Sequence, residues 1–276
     1  MTQTKISFIG GGNMARSLLG GLIAGGFNSA RLCVADPGED QRELVQARFG
    51  VRAVVSNEEV AQIADVLVLA VKPQILKSVA QSLAPMVQEK RPLVISIAAG
   101  VRSGDLDRWL GGGVSLVRTM PNTPALVQSG ATALYARSEV TAKQRSQAES
   151  VMRAVGLTLW VEDEDLLDSV TALSGSGPAY FFLMMEILEQ AAIAQGLPRS
   201  VSHLLTLQTA FGAAKMALES EEDLSILRAR VTSRGGTTER AIEVLESGGL
   251  SSLFSSALDA ARTRSQELAV ILGEEV

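Results

Sequence analysis

The chain has one cysteine, one histidine, two tryptophans and two tyrosines in 276 residues. A lone cysteine, Cys33, cannot form an intrachain disulfide, so nothing calls for an oxidising compartment. One histidine with one cysteine excludes the usual zinc-ligand sets, and nothing near His203 completes a catalytic triad. His203 falls in a stretch that reads as helix and is expected to be an ordinary packing or surface histidine. Apolar runs such as Val66 to Val71 and Tyr180 to Met185 are far too short to span a bilayer, so no membrane partner is expected. A basic excess is also missing: the net charge of −5 argues against nucleic acid or an anionic membrane surface as a partner. Met1 to Lys5 shows no basic region ahead of a long apolar stretch, so no signal peptide is expected, and the simple reading is a cytoplasmic protein. Apolar residues are plentiful, 46% against 20% charged, enough for a substantial core. Chemistry beyond that must rest on a cofactor.

Up to residue 163 short apolar strands alternate with amphipathic helices. Strands are expected at Ile6–Ile9, Leu32–Ala35, Val66–Ala70, Leu93–Ile97 and Val114–Arg118, with shorter ones near Thr132–Ala136 and Thr158–Val161. Several are apolar throughout, as in a parallel sheet buried on both faces. Ser56–Glu59 and Thr141–Gln144 fit the capping-box pattern at helix starts. After the acidic stretch Glu162–Asp165 the strand signal ends. Helical patterns follow at Pro178–Gln195, Val201–Glu219, Thr238–Ser247 and Leu250–Leu272, separated by Gly196-Leu-Pro198 and Gly248-Gly249. The fold class is therefore α/β: a Rossmann doubly wound, mostly parallel sheet over residues 1–163, then an all-α domain over 164–276. Leu183, Ile187, Leu188 and Ala191 form an apolar stripe, and so much apolar helix surface suits packing against a second copy.

Three segments carry chemistry. Gly10-Gly-Gly-Asn-Met-Ala15 follows the first strand and opens a helix, the Gly-x-Gly-x-x-Ala form of the dinucleotide fingerprint. Gly10 permits the tight turn, Gly12 lets backbone approach the pyrophosphate, and Ala15 permits close helix–strand packing. Asp36 closes the second strand, 26 residues after Gly10, where a carboxylate favours NAD and repels a 2′-phosphate; Arg42 leaves that phosphate open. Asp36 could equally just begin the Asp-Pro-Gly turn. In Leu173-Ser-Gly-Ser-Gly-Pro-Ala-Tyr180 two glycines and a proline interrupt a helical pattern, which implies a bend and a close approach, or simply a helix–helix corner. Val231-Thr-Ser-Arg-Gly-Gly-Thr-Thr238 offers hydroxyls, a glycine pair and free N–H groups at a helix start. That suits a small carboxylate, or a plain hydroxyl cap.

Ile9-Gly-Gly-Gly-Asn-Met-Ala15, Leu69-Ala-Val-Lys-Pro73, Met120-Pro-Asn-Thr-Pro124, Leu173–Tyr180 and Thr232–Glu239 together resemble the pyrroline-5-carboxylate reductases. The likeness runs from residue 6 to about 267, ending in Arg262-Thr-Arg-Ser-Gln-Glu-Leu268. It implies reduction of 1-pyrroline-5-carboxylate to L-proline with a nicotinamide dinucleotide, the last step of proline synthesis. The family commonly accepts NADPH, and that donor is favoured because the loop after Asp36 can supply Arg42, with NADH as the other donor. The resemblance implies that the Ser233–Thr238 loop, with Ser233, Gly235, Gly236 and Thr237, holds the substrate carboxylate, and that Thr238 hydrogen-bonds the ring nitrogen. It implies a cofactor site from Gly10, Gly11, Gly12, Asn13, Met14, Asp36, Asn57, Val71, Lys72, Pro73 and Ala99, and places Glu164 near the substrate. It implies a homodimer through the helical domain, with dimers often built into a larger ring such as a decamer. Arg234 departs from the proline that some members carry there.

A protonated cyclic imine is already a strong electrophile, so the missing histidine and metal are no obstacle. Two rival readings remain. A 3-hydroxyacid dehydrogenase would carry a lysine four residues after the last glycine of the bend, where this chain has Phe181. A nucleotide-sensing protein without turnover would have no use for the hydroxyl loop.

Overall fold

The computed structural model describes residues 4–274. The reading of Met1 to Lys5, and the outer ends of the 1–163 and 164–276 domains, rest in part on residues outside these.

Among the described residues one sheet has eight strands: β1 (Ile6–Ile9), β2 (Leu32–Ala35), β3 (Arg52–Val54), β4 (Val66–Leu69), β5 (Leu93–Ser96), β6 (Leu116–Met120), β7 (Gly130–Ala136) and β8 (Gly156–Trp160). Their order is β3-β2-β1-β4-β5-β6-β7-β8. Ile6 pairs in parallel with both Leu32 and Val66, so the order reverses direction across β1 and leaves a crevice at its carboxyl end. The β6–β7 pair is antiparallel and β7–β8 is parallel. Crossovers are made by α1 (Asn13–Ala24), α2 (Glu39–Phe49), α3 (Asn57–Ala61), α4 (Pro73–Lys90), α5 (Ser103–Trp109) and α6 (Ala142–Arg153). The central strands are buried on both faces, with Ile6, Phe8, Val66 and Val68 in one layer and Ile9, Leu67 and Leu69 in the other, where Leu76 of α4 packs on them. Each such side chain stabilises the fold by about 1.5–3 kcal/mol.

The expected alternation holds, with differences at ends. β3 escapes the pattern because three residues are too few to show a period. Thr141 and Gln144 form the full reciprocal capping box. At Ser56 only half forms: the hydroxyl accepts the Glu59 N–H at 3.1 Å, while the Glu59 carboxylate turns away to Arg52.

After β8 the described residues are helical. α7 (Leu166–Val170) runs into a π-helical turn, Thr171–Gly175. Then come α8 (Gly177–Ala194), α9 (Arg199–Glu219), α10 (Leu224–Arg230), α11 (Thr237–Ser247) and α12 (Leu250–Glu274). Contacts divide the chain into one unit of residues 1–176 with 260–276 and a second of 177–259. This boundary differs from the pattern change at 163 because Leu167, Asp168 and Ala172 are buried in the first unit, as are Ser265, Ala269 and Leu272 of α12. No described helix is long and apolar enough to cross a membrane.

The second unit has no core of its own. Within 177–259 only Gly177 and Ser202 are buried. Phe181, Phe182, Leu204 and Phe211 are each more than 60% exposed, and Leu218 is 84% exposed. His203 sits on this unit's surface with Nδ1 2.9 Å from the Glu189 carboxylate, a helix-to-helix contact as expected of a packing histidine.

In the first unit Gly21 of α1 meets α6 so closely that a Cβ there would lie 2.1 Å from the Ala154 carbonyl oxygen. Gly21→Ala should therefore destabilise the protein by about 3 kcal/mol, the upper end for overpacking, as measured by chemical denaturation. A loss below about 1 kcal/mol would show that α1 and α6 separate easily.

Candidate functional site

The carboxyl ends of β1, β2, β3, β4 and β5 carry the loops with the expected cofactor residues. Gly10 has φ +101°, and an added Cβ would stand 2.6 Å from the Ala70 carbonyl oxygen, so only glycine fits. Gly11 donates its N–H to Asp36 Oδ2 at 2.7 Å. Gly12 caps α1 without a side-chain hydrogen bond, and a Cβ there would meet nothing within 4 Å. Free N–H groups at an open helix start, with room in front, suit a pyrophosphate. Asn13 is the first residue of α1; its Oδ1 accepts from Arg16, whose other arm reaches Gln41. Met14 packs against the core.

Asp36 holds two turns together. Besides the Gly11 bond, its Oδ1 accepts the Gly38 N–H at 2.8 Å. Arg42 donates to the Asp36 and Pro37 carbonyl oxygens at 2.9 and 2.8 Å, so a guanidinium stands at the same corner as the carboxylate. Asn57 begins α3, just past the end of β3. Val71 and Lys72 follow β4, and Pro73 is the first residue of α4, where its missing N–H costs nothing. Ala99 follows β5 beside Gly100, which has φ +74°.

Glu164 lies in a charged cluster. Oε1 accepts the Ser103 N–H at 2.7 Å and Arg118 Nη1 at 2.9 Å, and Oε2 accepts the Ser103 hydroxyl at 2.6 Å. Arg118 is buried. Beside it Asp168, fully buried, accepts from Arg102 at 2.9 Å and from Ser265 at 2.7 Å. Burial alone would lower the Arg102 pKa, but its hydrogen bond to Asp165 and the charges of Asp168, Asp165 and Glu164 raise it above the usual guanidinium value. Both Glu164 oxygens are thus engaged, and the carboxylate braces the loop from Ala99 to Ser103. Ser103, Arg118 and this bracing were not anticipated from sequence, because their partners lie 46 and 61 positions away.

The hydroxyl loop belongs to the second unit. Gly235 has φ +73° and donates its N–H to the Glu239 carboxylate at 2.6 Å. Gly236 donates to the Ser233 carbonyl at 2.9 Å and caps α11 with no side-chain bond. Ser233 and Thr237 are exposed and Thr238 is half-buried. Thr232 is used internally, its hydroxyl donating to the Arg228 carbonyl at 2.7 Å.

At the Gly/Pro segment the expected break is a π turn, closed by Ser176 N–H donating to the Thr171 carbonyl at 2.8 Å. The close approach is real: a Cβ on Gly175 would lie 2.5 Å from Met120 Cε. Asn122, unweighed on its own in the sequence, bonds to both the π turn and β7.

Comparisons with known proteins agree in both halves. A family model described as pyrroline-5-carboxylate reductase dimerisation matches residues 164–268, and one described as NADP oxidoreductase coenzyme F420-dependent matches residues 5–100. A pyrroline-5-carboxylate reductase of Pseudomonas aeruginosa is 50% identical over 274 residues, 99% of this chain and 100% of the relative. A solved pyrroline-5-carboxylate reductase from Coxiella burnetii superposes with TM-score 0.93 at 50% identity, covering 96% of this chain and 98% of its own. The Plasmodium falciparum enzyme, solved with NADP bound, superposes with TM-score 0.86 at 30% identity, covering 98% and 99%.

Because Gly12 faces open space, Gly12→Val should leave the melting temperature of the free protein close to that of the parent and abolish NADPH binding in a fluorescence titration. Retained binding would remove the pyrophosphate from this turn.

Proposed function

The chain belongs to the pyrroline-5-carboxylate reductase family, and from that membership we propose that it reduces 1-pyrroline-5-carboxylate to L-proline with NADPH, NADH being the alternative donor. The observation that carries this reading is the end-to-end likeness to enzymes of that name, which includes both the phosphate turn and the hydroxyl loop.

A bound nicotinamide would supply the hydride for the imine carbon, with the C=N π pair going to the protonated ring nitrogen. The chain's part is to bind, orient and exclude water. Gly10, Gly11, Gly12, Asn13 and Met14 form the pyrophosphate turn. Asp36 and Asn57 serve the adenosine end, while Val71, Lys72, Pro73 and Ala99 line the path toward the nicotinamide. Asp36 already accepts two backbone N–H groups, and Arg42 beside it offers a positive charge to a 2′-phosphate, which favours NADPH.

Ser233, Gly235, Gly236 and Thr237 receive the substrate carboxylate at the uncapped start of α11. Thr238 orients the ring nitrogen, since an unperturbed hydroxyl is a poor acid. Glu164 contributes by bracing the loop that carries Ala99.

Residues 164–276 would form the dimerisation and substrate-binding domain. The exposed Phe181, Phe182, Leu204 and Phe211 fit a homodimer through the helices, and a larger ring such as a decamer is the fuller assembly proposed. A cytoplasmic location suits the single, buried Cys33.

The purified protein given NADPH and pyrroline-5-carboxylate should oxidise the cofactor, followed by its absorbance. Oxidation with a small aldehyde acid but none with the imine would overturn the reading in favour of a 3-hydroxyacid dehydrogenase. Thr238→Ala should lower kcat about 10- to 100-fold without unfolding the protein, the range for one hydrogen bond to a charged group. Full activity in that variant would remove Thr238 from the site.

A further inference from the structure

Asn122 sits in the loop after β6, at the sheet edge that also presents Val71 and Ala99. Its carboxamide is fully used. Oδ1 accepts the Ala131 N–H at 2.8 Å, at the start of β7. That bond settles which end of the amide is oxygen, because a backbone N–H can only donate. Nδ2 then faces the π turn, donating to the Ser174 carbonyl and the Ser174 hydroxyl, each at 3.2 Å.

Ser174 has a particular need for this donor. In an α-helix its carbonyl would accept the N–H of residue 178, but residue 178 is proline and has none. The Asn122 side chain supplies the donor that Pro178 lacks. The same turn is seated by shape, since Gly175 leaves the space that the Met120 methyl enters from the end of β6. A π turn is less favourable than α-helix and recurs at functional sites. Here it is held over the carboxyl edge of the sheet by a side chain from the neighbouring loop. In a dinucleotide-binding sheet the ligand spans that edge from the β2 corner, where Asp36 lies, toward the strands beyond β1.

We propose that Asn122 is a positioning residue for hydride transfer: it pins the Thr171–Gly175 π turn at the nicotinamide end of the site by replacing the N–H missing at Pro178. This rests on the reductase reading for its kinetic consequence and on the hydrogen bonds of Asn122 for the pinning itself.

Two measurements test it. In the free protein, Asn122→Asp keeps the acceptor for Ala131 and removes the donor to Ser174. Hydrogen exchange of the amides from Gly175 to Gly177 should then speed up, with exchange at β1 and β4 unchanged. In the assay, kcat should fall about ten- to a hundredfold while the KM for NADPH stays near the parent value, because the cofactor's anchor at Gly10–Asn13 is untouched. The primary isotope effect with 4-deuterated NADPH should rise. Adding Pro178→Ala restores a backbone N–H at 178 and should recover part of kcat. Asn122→Ala serves as the second variant if the aspartate form does not fold. Unchanged exchange, a kcat within about twofold of the parent, or a loss that only tracks the melting temperature would each overturn the proposal. If the parent protein fails to reduce the imine, the functional reading falls, while the exchange result still decides whether Asn122 pins the turn.

Discussion

Two carboxylates, the fully buried Asp168 and the half-buried Glu164, hold the chain beyond the last strand to the sheet. Taking Asp168 and the guanidinium of Arg118 out of water costs several kcal/mol per ion, offset only when every partner is in place. Ser103 and Arg118 complete Glu164; Arg102 and Ser265 complete Asp168. A misplaced segment would strand a charge, so the arrangement selects one geometry for residues 164–176 and for the last turns of α12. The loop after β5 is drawn into the same network through Arg102 and Ser103.

The second unit depends on a different condition. A helical segment from 177 to 259 that buries no large apolar side chain cannot repay its conformational entropy alone. Aromatic and leucine side chains at helical spacing point outward there, and the matching family model is a dimerisation domain. Such a surface gains stability when a second surface covers it, because anything that binds only the folded state stabilises it by mass action.

At the phosphate turn, backbone geometry and charge act together. Gly10 is required by the Ala70 carbonyl, and Asp36 ties Gly11 to Gly38, so the turn is shaped before any ligand arrives. Preorganisation of this kind lowers the ordering cost of binding. It also gives Asp36 a structural part: a carboxylate accepting two N–H groups braces the turn, with the Arg42 guanidinium at the same corner.

Local signals were legible wherever they are short-range. Short apolar runs, glycine spacing and the Thr141–Gln144 cap depend on neighbours within a few residues, and they appear in the structure where expected. β3 and α10 were missed because three and seven residues carry too little pattern. The Gly/Pro segment announced a disruption, yet not its form. Pro178 removes a donor from the chain, and that much is written in the sequence. Which group replaces it is not, since Asn122 lies 52 positions from Ser174. The same holds for Glu164, whose partners come from β6 and α5. By itself the sequence determined the sheet, the turn and the order of the motifs, because these follow from backbone sterics and periodicity. Only the tertiary structure decided which polar groups meet, because buried hydrogen bonds and ion pairs form between residues that the fold, not the chain, makes neighbours.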